Sequence, residues 1–145
     1  MGQSQSSSIK INYEDMQHIL KHPDHYLIIN TLSSEEQQCL ITYTLNATHE
    51  ETTINDCMKK GLKSVNIVLY GKNSNDDKLR TKYNQLTSLG FYNVYVYTGG
   101  MFEWLLLQDI FGENEFPTTQ KEIDILKFKS PKLLRTGLLE NNMRC

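Results

Sequence analysis

The sequence predicts an α/β fold with a central, mainly parallel five-stranded sheet and helices on both of its faces. Three observations carry that prediction. Short apolar runs rich in β-branched and aromatic residues recur at 26–30 (YLIIN), 65–70 (VNIVLY) and 94–97 (VYVY), as strands buried on both faces do. Stretches with apolar residues at helical spacing separate them, bounded by capping residues and glycines. The last run leads through Thr98 into Gly99-Gly100, a turn closed to most other residues, and then into an apolar segment bearing Trp104. Strand and helix alternating in this way give parallel strands joined by right-handed crossovers.

The elements follow in order. Residues 1–8 (MGQSQSSS) hold too little apolar content to offset the entropy of ordering, and are expected to form a disordered arm. The folded domain is placed at 9–119, with a C-terminal helix and tail at 120–145. Asn12 is read as the N-cap of a surface helix that carries Met16, Ile19 and Leu20 on one face and ends before His22-Pro23. After the strand at 26–30, residues 33–38 form a polar connection, and 39–45 alternate enough to be read as a further strand. Thr48 and Glu51 have capping-box spacing, with Ile54, Cys57 and Met58 behind them and Gly61 as the stop. The loop 71–75 breaks the central strand, and a helix from about Asp76 turns Leu79, Tyr83, Leu86 and Leu89 or Phe91 toward the core before Gly90 ends it. Met101, Phe102, Leu105 and Leu106 form the apolar part of the next helix, which Gly112 closes. Thr119 and Glu122 predict a short helix through Ile123 and Leu126, ended by Ser130-Pro131. A tail with Leu133, Leu134, Leu138 and Leu139 comes last.

At 145 residues, with 39% hydrophobic and 22% charged, the chain suits one domain with one sizeable core. A net charge of −2 argues against a nucleic-acid binder that works through phosphate contacts. Cys39, Cys57 and Cys145 are odd in number, far apart and without CxxC spacing, so neither a disulfide framework nor a structural zinc site is expected. No apolar stretch is long enough to span a bilayer, and no secretion signal opens the chain, so a cytoplasmic location is expected.

Over residues 9–119 the order of parts resembles the rhodanese family, small α/β domains that carry sulfur as a cysteine persulfide and share their fold with one class of phosphatase. Three stretches carry the resemblance: the opening helix and first buried strand at 11–30, the strand, loop and helix at 65–91, and the strand, Gly-Gly and Trp at 94–104. It implies a reactive cysteine directly after the central strand, where a thiolate lies under the first free N–H groups of the next helix. This chain has Gly71 there. In the phosphatase relatives an arginine six residues further on clamps phosphate, and the matching residue is Asp77. The acidic and basic pair expected after the first strand is also absent, with Asn30 and Leu32 in its place.

The expected site is therefore a degenerate loop with no catalytic residue: Gly71, Lys72, Asn73, Ser74, Asn75, Asp76 and Asp77. Asp76 and Asp77 stand where they would cap and neutralise the helix N-terminus from within, repelling an anion or filling the cradle already. The competing reading is a residual anion site using Lys72, Lys78 and loop N–H groups. Cys39 and Cys57 read as small buried hydrophobes, and Cys145 as an exposed terminal thiol outside any prenylation box. His18, His22 and His25 cluster, and His18 with His22 has metal-pair spacing, but no carboxylate or thiolate completes a site, so no metal and no cofactor are expected. His49 is expected to be exposed, and Trp104 to pack over the sheet edge.

The first six residues fit the N-myristoylation pattern, with Gly2 as the new amino end and Ser6 at the sixth position. One acyl chain binds membranes weakly, and no polybasic run or neighbouring cysteine adds a second signal. The leading expectation is a catalytically inactive binding or scaffold module with a protein partner, held at the cytoplasmic face of a membrane through Gly2. An enzymatic alternative is a sulfurtransferase with a relocated or partner-supplied cysteine. A third is an oligomeric structural protein whose tail from Lys132 docks between chains, from an AT-rich genome such as a protist's or a large DNA virus's, as the abundant Asn, Lys, Ile and Tyr suggest.

Overall fold

The computed structural model describes residues 8–134. Gly2, Cys145, Leu138 and Leu139 lie outside the described residues, and with them the lipidation and most of the tail expectations. Four parallel strands form the sheet: β1 (Ile9–Ile11), β2 (Leu27–Asn30), β3 (Ile67–Tyr70) and β4 (Val94–Tyr97), in the order β1-β4-β3-β2. The helices are α1 (Tyr13–Leu20), α2 (Ala47–Lys59), α3 (Asp77–Ser88) and α4 (Gly100–Phe111), with 3₁₀ turns at Pro23–His25, Ser34–Glu36 and Ile125–Phe128.

Alternation along the strands sorts the core into two layers. Ile28, Val68, Tyr70 and Tyr97 face Met16 and Ile19 of α1 and Met101, Trp104 and Leu105 of α4. Ile29, Ile67, Leu69, Val94 and Val96 face Ile54 and Cys57 of α2 and Leu79 and Leu86 of α3. All four residues of β3 are buried, as its apolar run requires. The alternative at the end of α3 resolves to Phe91, just past the helix and 1% exposed, against 38% for the C-cap Leu89. Among the described residues no helix is long and apolar enough to cross a membrane.

Among the described residues the sheet has four strands where five were expected. Residues 39–45 make only two isolated bridges, Ile28 to Thr44 and Ile41 to Thr118. Tyr43 has φ of 70°, a left-handed backbone that ends any extension, and the Tyr70 hydroxyl holds the segment by accepting from the Ile41 N–H at 3.1 Å. In compensation Ile9–Ile11 is a strand, too short for its alternation to register in the sequence. Helix α2 is capped by Asn46, whose side chain accepts the Thr48 N–H, rather than by Thr48 with Glu51. The helix expected from Thr119 is absent: the Thr119 hydroxyl oxygen accepts the Leu40 N–H, and the Glu122 carboxylate is taken up by the Asp124 N–H and Lys127. Only the 3₁₀ turn at Ile125–Phe128 forms, and it buries Phe128 in the α1–α4 layer.

Candidate functional site

Strands β2 and β3 end side by side, Asn30 opposite Tyr70, so their next residues, Thr31 and Gly71, are neighbours at the sheet's carboxyl edge. There the chain turns through residues 71–76 into α3. Asp76 is the N-cap of α3: its Oδ1 accepts the Lys78 N–H at 3.0 Å. Its Oδ2 points back into the loop, accepting the Lys72 N–H at 3.0 Å and the Thr31 hydroxyl at 2.9 Å. Asp77 is the first residue of α3.

A Cβ built on Gly71 would lie 2.2 Å from Asp76 Oδ2 and 2.8 Å from Thr31 Oγ1. The carboxylate thus occupies the volume where any side chain at position 71 would begin. The carbonyl side of the loop is equally engaged. Gly71 and Lys72 present their carbonyls to the N–H groups of Met101 and Phe102, each at 3.0 Å, so the first turn of α4 is satisfied by the loop itself. Gly100 makes that approach possible, with φ of 69° and room for no Cβ, which would meet the Gly71 carbonyl at 2.7 Å.

The loop's side chains are tied as well. Asn73 is buried: its amide donates to the Phe128 carbonyl at 2.8 Å, and its oxygen accepts the Asn75 N–H at 2.9 Å. Lys72 Nζ pairs with Glu36 Oε2 at 2.9 Å. Burial raises the affinity of Glu36 for its proton, but the Lys72 ammonium and the Ser33 N–H and hydroxyl outweigh it and hold the carboxyl below its usual range. Outside the loop lies a cleft of about 490 Å³ lined by Thr31, Ser33, Glu36, Lys72, Asp77 and Pro131. Lys78, expected beside Lys72 in an anion site, lines the same cleft, and its backbone N–H is already taken by Asp76.

The remaining candidates lie apart. Cys39 is 5% exposed, with its thiol donating to the Gln120 carbonyl at 3.2 Å, and burial pushes the thiol's pKa up. Cys57 faces the other core layer. His18, His22 and His25 are exposed, their rings 4.8 Å and 6.0 Å apart in succession, and His49 is exposed too. No group of three metal-ligating side chains forms among the described residues. Trp104 is fully buried, edge-on to Tyr97 at the end of β4 and to Phe116, with Nε1 donating to the Pro117 carbonyl at 3.1 Å.

Sequence reasoning missed Thr31, Glu36 and Phe128 as parts of the loop's surroundings. Thr31 was within reach, because parallel β2 and β3 in register must place the residues after them together. The ties from Glu36 and Phe128 cross 36 and 55 positions without any local pattern.

The family model described as rhodanese-like domain matches residues 13–107 of the chain. No curated protein matches. Among solved structures, the rhodanese-like domain of the Alr3790 protein from Anabaena is 18% identical with a TM-score of 0.53, covering 89% of this chain and 96% of its own. A crystal structure of the Alr3790 protein is 20% identical at a TM-score of 0.54, covering 81% and 97%. Ygr203w, a yeast protein tyrosine phosphatase of the rhodanese family, is 12% identical at a TM-score of 0.57, covering 83% and 99%. At these identities the likeness is one of fold.

Proposed function

The chain belongs to the rhodanese-like domain family, and from that premise we propose that it is a catalytically silent member serving as a binding or scaffold module. One observation carries the reading: position 71, directly after the central strand, is glycine, and the space beside it holds the Asp76 carboxylate. Sulfur transfer needs a thiolate and phosphoryl transfer a nucleophile with a cationic clamp; Gly71, Asp76 and Asp77 supply neither. What the loop offers a partner is its outer rim and the cleft beside it, lined by Glu36, Lys72, Asp77 and Pro131. The partner is a protein that reads this mixed-charge rim.

The Met1-Gly2 pattern with Ser6 supports an acyl chain on Gly2, holding the module reversibly at the cytoplasmic face of a membrane. A self-associating role for the tail from Lys132 draws on its leucines.

A sulfurtransferase with a relocated thiol finds less support: Cys39 is buried with a raised pKa and Cys57 is buried on the opposite face. The test is thiosulfate-to-cyanide turnover, alone and with the individual Cys39→Ser, Cys57→Ser and Cys145→Ser variants. Silence of the unmutated protein is expected; turnover lost with one of those serines overturns the reading. Intact mass of protein made in a eukaryotic cell tests the lipid, which fails if the N-terminal fragment carries no acyl group.

A further inference from the structure

Gly71 carries no φ in the left-handed region, so its backbone conformation is open to any residue. Glycine is there for space. The space is taken by Asp76 Oδ2, 2.2 Å from the built Cβ, and by Thr31 Oγ1, which donates to that oxygen. We infer that Asp76 is an intramolecular plug: its inward oxygen keeps the loop closed, and the plug, as much as the missing thiol, excludes a working side chain at position 71. This deepens the reading of a silent loop and rests on it, adding a second residue whose presence maintains the loss.

The two oxygens of Asp76 have separable jobs. Oδ1 caps α3 through the Lys78 N–H, a role that a serine hydroxyl can take over. Oδ2 engages Lys72 N–H and Thr31, reaching inward where a serine side chain, one atom shorter and with one oxygen, does not. In Asp76→Ser the cap therefore survives while the plug is withdrawn. The Thr31 hydroxyl, freed of its acceptor, turns away from the second contact with the built Cβ. Gly71 and Asp76 are thus coupled positions: a side chain at 71 is harmful while the carboxylate is present and harmless once it is gone.

Gly71→Ala, Asp76→Ser and the double variant form a cycle on the full chain, read by thermal unfolding. Gly71→Ala alone is expected to lower Tm by about 5 °C or more, since backbone or Asp76 must move. In the Asp76→Ser background the same change is expected to leave Tm unchanged or raise it, as alanine does at a permissive glycine. Losses that simply add overturn the inference.

A chemical arm reads the same coupling without reference to stability. With Cys145→Ser throughout, Gly71→Cys is compared with Gly71→Cys/Asp76→Ser by iodoacetamide labelling at neutral pH, the labelled peptide being identified by mass. The introduced thiol is expected to react about ten-fold faster once the carboxylate is removed, because a like charge no longer opposes the thiolate and the Lys72 N–H is free. Equal rates overturn the plug. Turnover in the unmutated protein would overturn catalytic silence alone and leave both arms to decide this inference.

Discussion

The Asn73 side-chain amide donates to the Phe128 carbonyl at 2.8 Å, joining the turn after the central strand to a segment beyond the part of the chain that the family model matches. Asn73 is 6% exposed and Phe128 1%, so neither partner has water to fall back on. The loop is consequently held from both sides: Asp76 inside it and the Ile125–Phe128 turn over it.

Removing that amide leaves the Phe128 carbonyl and the Asn75 N–H without partners. Asn73→Ala is expected to cost about 1–3 kcal/mol in urea unfolding, the range for stranding a buried polar group. Phe128→Ala keeps the main-chain carbonyl that accepts from Asn73 but leaves a cavity in the α1–α4 layer, for an expected cost of about 3–5 kcal/mol. An Asn73→Ala midpoint equal to that of the unmutated protein would contradict the tie.

Tyr70 ends β3 with its hydroxyl fully buried, accepting from Ile41 N–H and bonded to Thr44 Oγ1 at 2.7 Å. Burial pushes the phenol's pKa well above its ordinary value, so it stays protonated. Tyr70→Phe keeps the ring and strands the Ile41 N–H, for an expected loss of about 1–3 kcal/mol. Amide exchange at Ile41 should accelerate in the variant; unchanged protection would show that another group holds residues 39–45.

The Lys72 and Glu36 pair predicts a pH dependence of definite sign. Because the folded carboxyl is held below its usual 4.5, its contribution is fully present above that value and is lost as pH falls through the lower folded value. With Lys72 37% exposed the effect is small, up to about 1 kcal/mol. Denaturant midpoints of the protein and of Glu36→Gln should differ at pH 7 and converge as pH falls through the carboxyl's lowered value. A constant gap would assign the difference to packing.

Thiol chemistry provides a fourth check. Cys39 is pushed toward the neutral thiol by burial and Cys57 is 9% exposed, so both should resist iodoacetamide in the folded protein and react only on unfolding. Rapid native labelling of either would reopen the relocated-thiol alternative.

How much of this was legible in the sequence depended on range. The central strand, its loop and the helix after it are local: an apolar run, a polar break and an aspartate at the cap position, Asp76, each with a recognisable pattern. The pattern at 94–104 was equally readable, down to the need for glycine at position 100. Alternation at 39–45 misled because one left-handed residue, Tyr43, is enough to turn an extended-looking run into two bridges. The capping-box spacing of Thr119 and Glu122 misled for another reason: Leu40, far back in the chain, took the Thr119 hydroxyl, and Asp124 and Lys127 close by took the Glu122 carboxylate. That Asp76 and Asp77 would cap the helix was read from their place at its N-terminus. That the second oxygen of Asp76 reaches the position of a Cβ on Gly71 emerges only from three-dimensional distances.

Trp104 is the chain's single tryptophan, wedged between Tyr97 of β4 and Phe116, with its indole nitrogen fastened to Pro117. The molecule therefore carries its own optical gauge at the seam between the family-matched body and the segment around Phe116 and Pro117. Lifting that segment away would wet the indole and redden its emission, whereas disturbances confined to the α2–α3 side would leave the colour unaltered.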